Sequence, residues 1–598
     1  MIDKFDMRSE GCMELAKASR HFISSCMSSS RRTVATIILA FASPVVCGAQ
    51  SSGLRFAITL PPSSQSAPIT GRAFLILSRD SNPEPRFEIH PLDRGLPIFG
   101  RDVNALAPGK SVIIDETVPG YPLKSLADLP PGDYYAQAVL NVYTEFHRAD
   151  GHVIWAHMDQ WEGQQFVVSP GNLYSGPQKV HVDARANGTE TLVLTKTIPP
   201  RSPPPDTKWV KQIKIQSKLL SAFWGKPIYL GASVLLPAGY DDHADVHYPV
   251  IYNQAHFGLR PPLRFAENPR TLPQSVLDEM AKNNLDTPTD FSNAWSGPGF
   301  PRMIAVLFQH PTPYFDDSYA VNSANNGPYG DAILTELIPY LEQHFRIIAK
   351  PYARVLTGGS TGGWESLALQ IYHPEFFGGT WAEYPDPVDF RHYGPVDIYA
   401  DTNAFVVTKR VGAFLNPNSE WQHPERYLMR AEDGQPIITL REYSRWEDVL
   451  GSHGRSTDQL EAWESVHGPV GDDGYPKPLW DKRTGHIDHD VAMYMRDHGY
   501  DLRYYLAQHW PAIGPQLAGK IHVDVGDMDN FYLNLAVYDL QAFLDTASSP
   551  QAHAEFHYGR PEKGHGWQHT SAANLVREMA DFITAHAPAG ENNAQWKY

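Results

Sequence analysis

Between about Gly53 and Asp183 the apolar positions fall into short runs separated by turn residues. Phe74-Leu75-Ile76-Leu77 is one such run. A second follows the Leu129-Pro130-Pro131-Gly132-Asp133 turn, where Tyr134, Ala136, Ala138, Leu140 and Val142 lie two apart and share one face. Alternation of this kind marks a half-buried strand. No helical period interrupts it, so the region predicts a small, antiparallel, Ig-like β-sandwich over residues 50–183, which either binds a ligand or packs on its neighbour. Five prolines between Pro199 and Pro205 cannot join a central strand and favour a stiff, extended spacer, so residues 184–207 are expected to form a linker. From residue 208 the pattern changes. Ile228 to Leu236, Pro249 to Asn253, Met303 to Phe308 and Val355-Leu356 read as strands, whereas Ile333, Leu334, Leu337, Ile338 and Leu341 have the three-and-four spacing of a helix. Pro339 lies inside that helix and predicts a kink. Further helices are expected over Trp364–Tyr372, Asn534–Ala547 and Ala572–His586. Strands alternating with helices imply an α/β fold whose mainly parallel sheet is covered on both faces.

Composition narrows the function classes. The chain has 598 residues, 42% hydrophobic and 12% aromatic, which suits several globular domains and excludes disorder. A net charge of −17 argues against nucleic-acid binding, which needs a surplus of Lys and Arg to neutralise phosphates. It also gives no attraction to anionic membranes. All three cysteines, Cys12, Cys26 and Cys47, lie near the start. There, Arg31-Arg32 precede an apolar run from Val34 to Val46 and then Cys47-Gly48-Ala49. Basic residues, a short apolar core and small residues at a cleavage point have the form of a secretory leader, and the run is too short to span a bilayer. Residues 1–49 are therefore expected to be a signal peptide, of ordinary length if counted from Met27. The protein would be exported, periplasmic or extracellular, and free of cysteine once processed.

The chemistry starts at Gly358-Gly359-Ser360-Thr361-Gly362-Gly363, a G-x-S-x-G pattern between a strand and a helix. A strained turn of this kind lifts the serine oxygen above the sheet at the positive end of the helix. Serine is a weak nucleophile and needs a base, which in turn needs an orienting acid. In this arrangement the chain order is Ser, acid, His. After an expected strand over Ile521–Val525, Asp529 and Asp527 both fit the acid, with Asp529 preferred. After a last strand over Ala554–Tyr558, His565 within Gly564-His565-Gly566-Trp567 fits the base, with His569 in reserve. The oxyanion needs two backbone N–H donors. Thr361 follows the serine, and the loop after the third strand, Gln254-Ala255-His256-Phe257-Gly258, offers Phe257 or Gly258.

With these residues in place, the chain resembles the esterase family of α/β hydrolases that includes S-formylglutathione hydrolases, feruloyl esterases, enterochelin esterases and mycolyltransferases. The resemblance rests on Tyr248-Pro249-Val250-Ile251-Tyr252 leading to His256-Phe257-Gly258, on Gly358 to Gly363, on Gly526-x-x-Asp529-x-Phe531 and on the His565 loop. It covers roughly residues 208–380 and 520–586. It implies a Ser360-Asp529-His565 triad, favours Asp529 over Asp527, and departs at Phe257, where the family has glycine after histidine.

Ser360 and Asp529 lie much further apart than one strand and one helix require. Residues 385–519 therefore read as an insertion into a hydrolase domain spanning 208–598. They are rich in aromatics, among them Tyr393, Tyr399, Trp446, Trp463 and Trp480, and leave the sheet on the side where a lid over Ser360 would form. His486, Asp488, His489 and Asp490 match no metal-ligand spacing, so neither metal nor cofactor is expected. The expected partner is a small-molecule or carbohydrate-linked ester, with no nucleic acid and no membrane span; oligomeric state is not legible. The sequence also leaves open acyl transfer by the same triad, and a hydrolase-fold binding protein without activity.

Overall fold

In the computed structural model the described residues are 53–62, 67–92, 95–183, 188–408, 424–593 and 595–598. The expected leader lies outside them. The N-terminal region is built from two sheets. In the smaller, Leu54–Thr59 lies between Gly188–Val193 and Ser111–Ile114; in the larger, Ile69–Ser78 lies between Ile98–Leu106 and Gly132–Val142. Phe56, Ile58, Ile114 and Leu192 from the first sheet share one apolar core with Ala73, Leu75, Ala136, Ala138 and Leu140 from the second.

Two details differ from the sequence reading. Segment 184–207 is not all linker. Gly188–Val193 runs parallel to Leu54–Thr59, and Lys196–Thr197 pairs with Leu173–Tyr174. Thr189, Thr191 and Val193 are β-branched and suit a strand, while Leu192 and Leu194 drop into the core. The prolines begin only after that strand, and the sandwich is antiparallel except at this pair. Second, the Gly132–Val142 strand is buried on both faces rather than one. Gln137 on the outer face binds Glu84 and the Ser175 carbonyl, Asn141 accepts from Asn172, and Phe74 stacks on Phe166 at 4.4 Å. Loops have folded over the face that alternation assigned to solvent. The sandwich packs on the hydrolase domain, one of the two roles expected of it. Phe146, Ile154 and Ala156, from its Thr144–His147 and Val153–Ala156 strands, join the hydrolase core, where Phe146 meets Trp224 edge to face at 5.1 Å.

The hydrolase sheet has eight strands. They are β1 (Val210–Ser217), β2 (Ile228–Leu235), β3 (Val250–Gln254), β4 (Ile304–Gln309), β5 (Arg354–Gly359), β6 (Gly379–Glu383), β7 (Ile521–Gly526) and β8 (Glu555–Gly559). The order across the sheet is β1-β2-β4-β3-β5-β6-β7-β8. β1, β2 and β4 pair antiparallel, and every later pair is parallel. Val250, Ile251, Val306, Val355 and Leu356 pack in one core with Val576, Met579 and Ile583 of the closing Ala572–His586 helix. The expected kink is present as a wide turn over Ile333–Leu337, just before the Ile338–His344 helix that carries Pro339. Proline has no N–H for the carbonyl four residues earlier, and a widened turn removes the clash.

Between β6 and β7 the described residues of the insertion form four main helices, Leu440–Leu450, Gln459–His467, His489–Asp497 and Leu502–Leu517. It is clasped to the sandwich. Arg72 donates to the Asp448 and Val449 carbonyls at 2.8 and 2.9 Å and pairs with Asp102 at 2.7 Å. Arg455 reaches Asp102 at 3.0 Å and the Trp155 carbonyl at 2.7 Å. Among the described residues no helix is long and apolar enough to cross a membrane.

Candidate active site

β5 ends at Gly359 and a helix begins at Thr361, with Ser360 between them at φ 58° and ψ −121°. That backbone is costly for any residue with a side chain and persists only where its surroundings enforce it. A β-carbon on Gly358 would sit 2.5 Å from the Gln254 carbonyl oxygen, and one on Gly362 only 2.1 Å from it. On Gly363 it would lie 2.6 Å from the Glu383 oxygen. The glycines thus let the turn press between the ends of β3 and β6, with Gln254 and Ala255 against Gly362. The Ser360 N–H donates to Glu383 O at 3.0 Å, and the Ser360 carbonyl accepts from Gly363 and Trp364.

Past β7, Asp529 is fully buried at 0% exposure. Its Oδ2 is 2.8 Å from His565 Nδ1, and its Oδ1 accepts from the N–H of Phe531 at 2.9 Å and of Leu533 at 3.2 Å. His565, 7% exposed, is fixed further by its own N–H on Asn530 Oδ1 at 2.8 Å. The Tyr384 and Phe531 rings meet the imidazole edge-on at 4.7 and 5.0 Å. A carboxylate acceptor at Nδ1 assigns the proton to that nitrogen and leaves Nε2 as an acceptor.

The two reserve residues are engaged elsewhere. Asp527 Oδ1 accepts from the Lys563 N–H at 3.2 Å and serves the turn. His569 lies between Asp524, 2.5 Å from Nδ1, and Glu578, 3.0 Å from Nε2, and its ring stacks on His557 at 4.2 Å. Burial works against protonation of His569, but the hydrogen bonds and charges of Asp524 and Glu578 outweigh it and push its pKa up to about 9.

A buried polar knot that sequence reading missed adjoins the serine. Asp386, just past β6 and 4% exposed, accepts at Oδ2 from Tyr319 Oη at 2.6 Å, Thr361 Oγ1 at 3.0 Å, Gln459 Nε2 at 3.1 Å and Trp463 Nε1 at 3.2 Å. Its N–H donates to Ser360 O at 3.1 Å. The Ser360 hydroxyl, half-buried, lies 3.4 Å from Asp386 Oδ1, which is its one side-chain hydrogen-bond partner among the described residues. Gln459 and Trp463 belong to the insertion, so one of its helices does come down beside Ser360. In the loop after β3, Phe257 meets Trp161 edge to face at 5.3 Å, and Gln309 Nε2 donates to the Gly258 carbonyl at 2.7 Å.

The profile of the family described as "Putative esterase" matches residues 229–582, well over half of the sequence. The chain belongs to this family. It is a carboxylic ester hydrolase with the α/β-hydrolase fold. Among solved structures, a ferulic acid esterase is 16% identical, with 63% of this chain and 97% of that one covered at a TM-score of 0.33. An IroE-like serine hydrolase from Shewanella oneidensis is 12% identical, covering 63% and 79% at 0.29. An S-formylglutathione hydrolase from Staphylococcus aureus is 11% identical, covering 62% and 98% at 0.27. No curated protein matches by sequence.

Among the described residues of this esterase, two clusters bring three metal-ligating side chains together, His256 with Asp316 and Asp317, and Asp524 with His557 and His569. Every histidine in them is within 3.2 Å of a carboxylate, so ion pairing accounts for both groups. The His486–Asp490 stretch forms no such group: Asp488 caps the following helix and His489 bonds the Asp401 carbonyl.

Proposed function

We propose that this esterase is an exported serine hydrolase that cleaves carboxylic esters through an acyl-enzyme. The observation that supports the reading is the 2.8 Å Asp529–His565 pair, together with the strained strand-to-helix turn that carries Ser360. In the first half-reaction Ser360 Oγ attacks the ester carbonyl and passes its proton to His565 Nε2. Asp529 steadies the imidazolium that forms. The tetrahedral oxyanion is held by the N–H groups of Thr361 and Phe257. His565 then protonates the departing alcohol, leaving the acyl group on Ser360. In the second half-reaction water attacks that ester with His565 as base, releasing the acid and restoring the serine. Export rests on the leader-like pattern of residues 1–49.

A panel of p-nitrophenyl esters of graded chain length, with feruloyl and acetylated-sugar esters, tests this reading. Hydrolysis of at least one ester, lost in Ser360→Ala, is expected. Equal activity in the wild type and Ser360→Ala would refute it.

A further inference from the structure

Asp386 is a buried carboxylate with no cationic partner. Among the described residues no Lys, Arg or His forms an ion pair with it, and all four donors on its side apart from Ser360 converge on Oδ2. Oδ1 has the Ser360 hydroxyl alone, at 3.4 Å. An ionised carboxylate removed from water is costly unless its oxygens are satisfied, and a long single bond to Oδ1 satisfies little. Asp317 and Glu365 are buried nearby, and Glu365, held up chiefly by burial and then by the charges of Asp317 and Asp386, has its pKa raised well above the ordinary value.

The serine chemistry sharpens the difficulty. On acylation the Ser360 O–H bond is broken, its proton leaves by way of His565 with the alcohol, and Oγ becomes an ester oxygen that can only accept. Asp386 Oδ1 then loses its one donor and faces an acceptor.

From this we infer that Asp386 Oδ1 forms an acyl-side subsite for a hydrogen-bond donor, so that the enzyme favours esters whose acyl chain carries a hydroxyl or ammonium group near the carbonyl and rejects anionic acyl chains. The subsite rests on the serine-esterase reading above. A donor on the acyl chain replaces the proton that Ser360 gives up, and a substrate carboxylate there would meet Oδ1 with like charge, which discriminates by repulsion. Sites built to bond a substrate donor reject analogues lacking it strongly, because the buried acceptor is left unpaired. The side chains of Tyr319, Thr361, Gln459 and Trp463 fix the carboxylate, so they position the subsite.

The test compares kcat/KM of the full-length protein for four 2-naphthyl esters: 3-hydroxybutyrate, β-alaninate, butyrate and hemisuccinate. The wild type is expected to favour the two donor-bearing esters over butyrate by about tenfold, the low end for a hydrogen bond to a charged acceptor, and to place hemisuccinate below butyrate. In Asp386→Asn the donor preference and the hemisuccinate penalty should both shrink, whatever the absolute rate. A purely structural role would lower all four esters by one factor and keep their ratios, and that result overturns the subsite. So does a wild type that hydrolyses hemisuccinate as well as butyrate, which decides the matter even if the variant does not fold. Fluorophosphonate labelling run alongside separates the two readings. Labelled protein without discrimination refutes the subsite alone, whereas folded protein that is neither labelled nor active refutes the esterase reading and the subsite with it.

Discussion

Asp529 and Asp527 are two residues apart on one turn, yet the structure gives them different work. Asp529 spends one oxygen on backbone N–H groups and the other on His565, whereas Asp527 holds the Lys563 N–H. Loss of the acid in a serine triad costs about 10⁴ in kcat, because the imidazole takes the wrong tautomer. Asp529→Asn is therefore expected to fall by about that factor in steady-state assays, with Asp527→Asn staying within about tenfold of wild type. A larger loss in Asp527→Asn would transfer the acid role to it. The strand-to-turn settings of Ser360, Asp529 and His565 were legible because each lies immediately past a strand, where short-range pattern is informative. Asp386 was not. Its partners Tyr319, Gln459 and Trp463 are 67, 73 and 77 positions away, and only folding brings them together.

At the level of elements, β7 and β8 lead into the Asp529 and His565 loops and also carry a second polar cluster. Asp524 on β7 binds His557 on β8 and His569 past the His565 loop, and Glu578 on the closing helix takes the other ring nitrogen. His569 thus ties the His565 loop to the sheet and the helix. Its folded pKa of about 9 lies above the ordinary 6.5. The stabilisation is accordingly complete below about pH 6.5 and is lost as pH rises through about 9. His569→Gln should lower the thermal midpoint most at about pH 6, with the gap to wild type closing by about pH 10; a gap that widens with pH would contradict this pairing. Period and turn chemistry made most strands of the sheet and the helices over Thr361–Tyr372, Leu533–Thr546 and Ala572–His586 legible. They missed Gly188–Val193, whose β-branched run stands against a proline-rich neighbour and pairs with a strand some 130 positions earlier.

For the whole molecule, sandwich, insertion and hydrolase sheet are joined on a few residues. Asp102 of the sandwich takes Arg72 and Arg455, and Arg72 also holds two insertion carbonyls. The insertion in turn sends Gln459 and Trp463 to Asp386 beside Ser360. The extra segments were visible in the sequence as composition and length. Their roles were not, since the contacts that define them cross hundreds of positions, as between Arg72 and Val449. What these parts converge on is a single serine, and covalent labelling of the full-length protein with a fluorophosphonate tests it most directly. The account predicts one adduct per chain, mapped by peptide mass spectrometry to Ser360 and missing from a folded Ser360→Ala protein. A folded wild type that remains unlabelled, or an adduct at another residue that survives in Ser360→Ala, would contradict it.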